Sequence, residues 1–97
     1  MEIVKDGTEY ILNDFGSKTE GQTIRFTEKV KEGEYSKGTT NEEVIDMFIE
    51  RMYSLQKKGF SVENQVIIIL AKQIRGLLKK RLERKIINTG KHDKTRG

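Results

Sequence analysis

The chain lacks several residue types on which small domains often depend. Its 97 residues include no cysteine, no proline, no tryptophan and a single histidine, and 34% are hydrophobic. Without cysteine there is no disulfide framework and no thiolate zinc site. A chain of this length buries only about 60–65% of its unfolded surface, so its own core is thin. Self-association is the remaining route to stability, and we expect an oligomer.

Long hydrophobic runs are also missing. The longest apolar run is Val66–Ala71, six residues, whereas a helix that spans a bilayer needs about 20. The N-terminus has no extended apolar segment of the kind found in signal peptides. We therefore expect a soluble protein of the cytoplasm with no membrane partner.

Charge is divided unevenly along the chain. Residues 72–97 contain ten Lys or Arg and two acids, a net charge of +8, whereas residues 1–71 contain nine Lys or Arg and thirteen acids, a net charge of −4. A basic end of this kind suits an anionic partner.

The first part of the chain has the pattern of strands. Glu2–Lys5 and Glu9–Leu12 flank an Asp-Gly pair, which favours a tight hairpin because Asp-Gly readily adopts the positive φ that such turns need. Gln22–Val30 alternates in polarity and predicts a third, half-buried strand. Lys31–Thr39 is charged and contains two glycines, which predicts a loop.

The second part has the pattern of two helices. Thr40 followed by Glu43 forms a capping box and predicts a helix that ends near Lys57. Ser61 can cap a second helix, which no proline interrupts before about Ile87. The short connection between the helices predicts an antiparallel hairpin.

These patterns together predict one α+β domain over residues 1–97, with a small N-terminal antiparallel β-sheet followed by a two-helix antiparallel hairpin. The β-rich part covers residues 1–39, the hairpin 40–87, and a flexible tail 88–97.

The apolar run in the second helix is larger than a two-helix hairpin can cover. At helical spacing one stripe is expected, formed by Ile67, Leu70, Ile74, Leu77, Leu78 and Leu82. Val66, Ile68 and Ile69 point elsewhere around the axis and need another cover. The N-terminal sheet could cover part of them, but we predict an interface with a second copy of the chain. The alternative is a buried strand, given the β-branched residues. The flanking polar residues favour the helix.

No catalytic set is evident. A carboxylate group on the first helix has a simpler explanation in capping and solvation; it comprises Glu42, Glu43, Asp46 and Glu50. We expect neither an enzyme nor a bound cofactor or metal.

The basic residues of the second helix are better candidates for binding. Arg81, Arg84 and Lys85 lie three to four residues apart and share a face. Guanidinium groups hold phosphates through paired hydrogen bonds. Asn64 lies 17 residues before Arg81, which is about 25 Å of helix. One molecule could not apply both to a small ligand, but two antiparallel molecules could share a pocket. Solvated basic rows are the simpler alternative.

An ordered set of motifs resembles a known family. In sequence order the motifs are Phe26, Gly38-x-Thr40-Asn41-Glu42, Ile45, Ile49-Glu50-Arg51, Gly59-Phe60-x-x-Glu63-Asn64, Arg81, Arg84-Lys85 and Gly90-Lys91-His92. This set resembles the helical-hairpin domain of phage anti-Thoeris and anti-CBASS sponge proteins. The strand-rich start is most similar to the Thoeris anti-defence proteins.

The resemblance implies a homodimer or a dimer-based hexamer that acts in the cytoplasm of the host bacterium. It implies binding and sequestration, without cleavage, of glycocyclic ADP-ribose or of CBASS cyclic oligonucleotides at subunit interfaces. Asn64 would hydrogen-bond the ligand, and Arg81 with Arg84 or Lys85 would hold its phosphates.

The chain departs from the family at several positions. Leu55 stands where the family often has an aromatic residue, so Phe60 or Tyr53 would supply the stacking surface. Ser61 and Val62 stand where many members have cysteine and arginine. These departures concern the identity of the ligand more than the fold.

Two other functions compete with the sponge. The basic face of residues 72–85 could bind a nucleic-acid backbone, although it lacks interleaved aromatic residues, so nucleic acid is the less favoured partner. A structural adaptor that binds an acidic protein through its basic end is the third alternative.

Overall fold

The chain has an α+β fold in which an antiparallel sheet precedes two helices, as the sequence predicts. The computed structural model describes the backbone of residues 1–17 and 21–96, and the side chains of these residues as far as Lys85. The chain divides into two compact units, Met1–Asn41 and Glu42–Gly97. This division falls two residues after the predicted change from the β-rich part (residues 1–39) to the hairpin (residues 40–87).

The first unit is built on a three-stranded antiparallel sheet in the order β1-β2-β3. Its strands are β1 Glu2–Lys5, β2 Glu9–Asn13 and β3 Gly21–Arg25. The β1–β2 turn contains Gly7 with φ of 79°, a backbone conformation that glycine adopts without steric cost. The predicted Asp-Gly hairpin is therefore confirmed.

The pairing of β2 with β3 is supported by side chains at one end of the strands. Glu9 lies opposite Arg25, and Arg25 Nε donates a hydrogen bond to Glu9 Oε1 at 2.9 Å. Next to this pair, the rings of Tyr10 and Phe26 meet edge to face with centroids 6.1 Å apart. Aromatic contacts of this geometry add to what area burial alone contributes.

The prediction of a single strand over Gln22–Val30 is wrong, because parts of two strands occupy this segment. β3 ends at Arg25, and β4 Lys29–Lys31 pairs instead with β5 Glu34–Tyr35 in a separate two-stranded sheet. The segment predicted as a loop thus supplies the partner of β4.

The break after β3 has a backbone cause. The Thr39 N–H donates to the carbonyl of Arg25 at 2.7 Å, and the Thr27 N–H donates to the carbonyl of Thr39 at 2.9 Å. This returning segment forms a parallel bridge between Phe26 and Thr39. On the opposite edge of β3 the Phe26 N–H donates to the carbonyl of Thr8, the residue before β2. Residues earlier than Thr8 form the β1–β2 turn, so the pairing of β3 with β2 ends here.

The second unit contains α1 Asn41–Lys58 and α2 Val62–Arg96. Thr40 immediately precedes α1, as its predicted role as N-cap requires. Ser61 caps α2, since its Oγ accepts a hydrogen bond from the Asn64 N–H at 3.0 Å. The apolar run of residues 66–70 is helical, so the alternative of a buried strand is wrong.

The buried side chains of the described residues all lie on these two helices. They are Ile49, Met52, Ile68 and Ala71. Among the described residues, neither helix has a stretch both apolar enough and long enough to cross a lipid bilayer.

The second helix is longer than predicted. Its backbone is helical to Arg96 rather than to about Ile87, and no proline stands in the way. Residues 88–96 of the predicted flexible tail thus have a helical backbone, and their predicted flexibility stays a prediction. Its side chains, including that of His92, lie outside the described residues, as does Gly97.

Gly38 provides a test of the returning segment. A Cβ at this position would stand 2.5 Å from the Phe26 carbonyl carbon and 2.5 Å from the Thr27 nitrogen. We expect Gly38→Ala to push Thr39 away from Arg25 and to accelerate hydrogen exchange of the Thr39 amide. Gly76→Ala is the control: a Cβ there meets nothing within 4 Å, and the change should stabilise the helix by about 1 kcal/mol. Unaltered exchange at Thr39 in Gly38→Ala would contradict this account.

The buried position of Ile68 gives a second prediction. Ile68 is 2% exposed, whereas its neighbour Ile69 is 48% exposed. Ile68→Ala should lower the free energy of unfolding by about 2–5 kcal/mol because it leaves a cavity. Ile69→Ala should cost less than half as much. Urea unfolding at one fixed protein concentration measures both, and equal losses would contradict the assignment of Ile68 to the core.

Candidate functional site

The pairing of the two helices determines where each candidate residue lies. Side-chain contacts between described residues cross the hairpin: Gln56 Nε2 to Gln65 Oε1 at 3.4 Å, Lys72 Nζ to the Tyr53 ring centroid at 5.0 Å, and Arg75 Nη1 to Asp46 Oδ1 at 3.5 Å. As the residue number rises along α2, the number of its partner in α1 falls. The two helices are therefore antiparallel, as predicted.

This pairing also gives the register. The two residue numbers in each contact add to between 121 and 125. Asn41, the first residue of α1, therefore corresponds to residues 80–84 of α2. Beyond that level α2 has no α1 residue beside it.

The turn between the helices is held by Gln56. Its Oε1 accepts a hydrogen bond from the Ser61 N–H at 2.8 Å. Gln56 thus joins the end of α1 to the residue that caps α2, and it does so where the side chains are partly buried. The position of Asn64, one turn into α2, depends on this connection.

The predicted ligand-binding residues fall into two groups at opposite ends of the α1–α2 pairing. Leu55 and Asn64 are half-buried beside the turn, and Phe60 in the turn is 72% exposed. Arg81, Arg84 and Lys85 form the second group and are exposed.

A single chain does not bring these two groups together. Asn64 and Arg81 lie on one continuous helix 17 residues apart, a separation of about 25 Å along the axis. As the sequence analysis anticipates, a pocket that uses both residues needs more than one copy of the chain.

The described side chains leave the basic group without an ionic partner. Glu83 is adjacent in sequence, but no ion pair or hydrogen bond joins it, or any other side chain described as far as Lys85, to Arg81, Arg84 or Lys85. Other cations of the hairpin are engaged: Arg75 with Asp46, and Lys72 with Tyr53. The basic group is exposed, and among the described side chains its charges are open to an anion.

The predicted oligomer interface needs one correction. Val66 and Ile69 are each 48% exposed and remain candidates, but Ile68 is 2% exposed within a single chain. A side chain already covered by its own chain cannot supply the apolar area of a contact between copies. Ile68 belongs to the core of the chain.

The stripe that the sequence predicts along α2 is in fact two stripes. We call the first the hairpin stripe; it faces α1 and consists of Ser61, Asn64, Ile68, Ala71, Arg75, Leu78 and Leu82. We call the second the outer stripe; it consists of Glu63, Ile67, Leu70, Ile74, Leu77, Arg81 and Arg84. Both have alternating spacings of three and four residues, and the three side chains Leu70, Ile74 and Leu77 of the outer stripe are 49–66% exposed.

The outer stripe includes residues that the site prediction omits. Glu63 enters the sequence prediction only through the family motif, and Leu70, Ile74 and Leu77 enter it as parts of one apolar stripe rather than of a site. The alternating three-four spacing was the available signal, because a spacing that averages 3.5 residues marks a seam between paired helices.

No metal site is found in the described part of the chain, where no three His, Asp or Glu side chains lie close enough to hold an ion. Comparison of the chain with known protein families, with curated proteins and with solved structures finds no match. Inference about function therefore starts from the residues themselves.

The Gln56 connection is open to a direct test. Gln56→Leu keeps the size of the side chain but removes the acceptor for the Ser61 N–H. We expect faster hydrogen exchange at the Ser61 amide and a loss of about 1 kcal/mol of stability, the usual net value of one such bond. Gln73→Leu, an exposed residue farther along α2, is the matched control. Equal exchange at Ser61 in the two variants would show that Gln56 does not hold the turn.

Proposed function

We propose that this chain binds and sequesters a cyclic nucleotide signalling molecule, either glycocyclic ADP-ribose or a CBASS cyclic oligonucleotide, without cleaving it. The proposal joins the resemblance to the phage sponge proteins with the chemistry of the hairpin. In this proposal the protein acts in the cytoplasm of an infected bacterium, where it lowers the concentration of an immune signal.

One observation carries the proposal: three exposed cations, Arg81, Arg84 and Lys85, lie within five residues of helix and have no described acidic partner. A cyclic dinucleotide-like ligand carries two phosphate charges in a small volume. Arginine donates paired hydrogen bonds to such groups. A compact cluster of this kind suits a small, highly charged ligand.

The rest of the ligand would be held by the turn of another copy. Phe60 offers an exposed ring for stacking against a base, and Asn64 offers an amide for the edge of a base or ribose. Leu55 contributes an apolar wall. Because these residues and the basic group are far apart in one chain, the proposed pocket lies between two copies in a homodimer or a dimer-based hexamer.

Sequestration requires affinity rather than catalysis. To compete with a receptor the protein must bind its signal tightly, and nanomolar binding corresponds to about −12 kcal/mol. A pocket preformed at an interface reduces the entropy lost on binding. The proposed site assigns no residue to a chemical step, so the ligand should be released unchanged.

The direct test is isothermal titration of the purified chain with glycocyclic ADP-ribose and with a panel of cyclic di- and trinucleotides. The complex is then heated, and the released ligand is identified by mass. Tight binding followed by release of intact ligand is the expected result. Release of a cleaved product would replace the sponge with an enzyme, and absence of binding to every ligand would refute the proposal.

Variants locate the site. Arg81→Ala and Asn64→Ala should each retain the helical circular dichroism spectrum but weaken binding, Arg81→Ala by about 10–100-fold because a charged hydrogen-bond donor is lost. Arg51→Ala removes an exposed arginine from α1 and is the matched control, with unchanged affinity expected. Wild-type affinity in both site variants would place the ligand elsewhere.

The net charge of +8 over residues 72–97 supports one alternative, binding to a nucleic-acid backbone. Salt dependence separates the two functions. A backbone binder that contacts six to ten phosphates loses about 10³–10⁵ in affinity between 50 and 200 mM salt. A pocket that holds two phosphates should lose far less over the same range.

A further inference from the structure

The outer stripe of α2 is symmetric about position 72. Leu70 and Ile74 lie two residues on either side of this position, and Ile67 and Leu77 lie five residues on either side. Each of these apolar residues thus has an apolar counterpart at the same distance from the centre. A helix face with this symmetry can pack against an inverted copy of itself.

The charges at the ends of the stripe follow the same symmetry with opposite sign. Glu63 lies nine residues before position 72, and Arg81 lies nine residues after it. Both side chains are exposed, and the two positions are about 27 Å apart along the helix. If two copies pack in opposite directions, each Glu63 meets an Arg81, and the pair forms twice.

The charges also decide the direction of packing. A parallel pair would bring Glu63 against Glu63, Arg81 against Arg81 and Arg84 against Arg84. Like charges placed opposite each other across an interface are unfavourable. The antiparallel arrangement replaces these repulsions with two attractive pairs.

We infer that the outer stripe is the surface at which α2 packs antiparallel against α2 of a second copy, with Glu63 of each copy against Arg81 of the other. Four apolar layers lie between the two charged ends: Ile67 with Leu77, Leu70 with Ile74, and the same two pairs with the copies exchanged. The hairpin stripe stays against α1, so the assembly is a four-helix arrangement with the two α2 helices at its centre.

The geometry also completes the proposed site. Arg84 of one copy lies level with Phe60 of the other, because these positions are each twelve residues from position 72. Arg81 of the first copy then lies one residue from the level of Asn64 of the second. That the interface forms a ligand pocket rests on the proposed function, whereas the pairing of the helices does not.

A second copy fits this face better than other occupants. A lipid surface would require an apolar face flanked by cations, whereas one end of this stripe is acidic. An unrelated protein would give no reason for the symmetry about position 72. Self-pairing accounts for both the apolar and the charged positions.

Charge reversal tests the pairing without any ligand. Glu63→Arg and Arg81→Glu should each weaken self-association by at least about tenfold, because each places like charges together at both ends. The double variant, Glu63→Arg with Arg81→Glu, should restore the wild-type mass in sedimentation equilibrium. Lys79→Glu changes the charge two residues from Arg81 but off the stripe, and is the matched control with unchanged mass expected.

Several outcomes overturn the inference. One is a monomeric wild-type chain; another is a double variant that stays as dissociated as two folded single variants. Circular dichroism confirms folding of each variant. These measurements contain no ligand, so failure of the pairing is distinguishable from failure to bind a cyclic nucleotide.

Disulfide trapping tests the register even if a charge variant does not fold. The chain has no native cysteine, so Ile67→Cys and Leu77→Cys each carry a single thiol. Under mild oxidation a mixture of the two variants should form a cross-linked heterodimer, whereas each variant alone should not. Cross-linking of each variant alone would indicate parallel pairing, and no cross-linking in the mixture would exclude the proposed contact.

Discussion

The antiparallel packing of α1 on α2 is the constraint on which the other features of the second unit depend. Met52 and Ala71 are buried, and the contacts that cross the hairpin place them at the same level. Because this packing assigns Ile68 and Ala71 to the core, the faces of α2 that point away from α1 are left to solvent. The outer stripe lies about 100° around the helix from the hairpin stripe and is largely exposed for this reason. The same packing holds the turn and the basic group at a set separation.

Sequence reasoning predicts the starts of the two helices better than the faces of α2. The start of α1 after Thr40 and the start of α2 after Ser61 follow from capping chemistry, which is local. The end of β3 does not, because β3 loses its partner where β2 gives way to the β1–β2 turn at Thr8, while Thr39, 14 positions after Arg25, occupies the other edge. Periodicity within Gln22–Val30 carries no signal of either segment.

The division of the apolar residues of α2 into two stripes could not be predicted from the sequence for a related reason. The hairpin stripe and the outer stripe are offset by one residue, so Ile67 and Ile68 belong to different stripes although they are neighbours in sequence. An apolar run at this point is consistent with either assignment until the contacts of Tyr53 with Lys72 and of Asp46 with Arg75 establish which side faces α1. The basic group, in contrast, could be predicted from the sequence because it depends only on spacing within one helix.

The proposed assembly and the proposed ligand make competing demands on Arg81. In an antiparallel pair without ligand, Glu63 neutralises this guanidinium, and a phosphate that arrives must displace or share that contact. The carboxylate of Glu63 therefore lowers the affinity for any single phosphate. Breaking its ion pair with Arg81 costs part of the free energy that is gained when the phosphate binds. A ligand that also engages Arg84, Lys85 and the turn of the other copy can overcome this cost, whereas free phosphate cannot. Glu63 would therefore favour a cyclic nucleotide over the abundant small phosphates of a cell, and the residue that orients the two copies would also make the site selective.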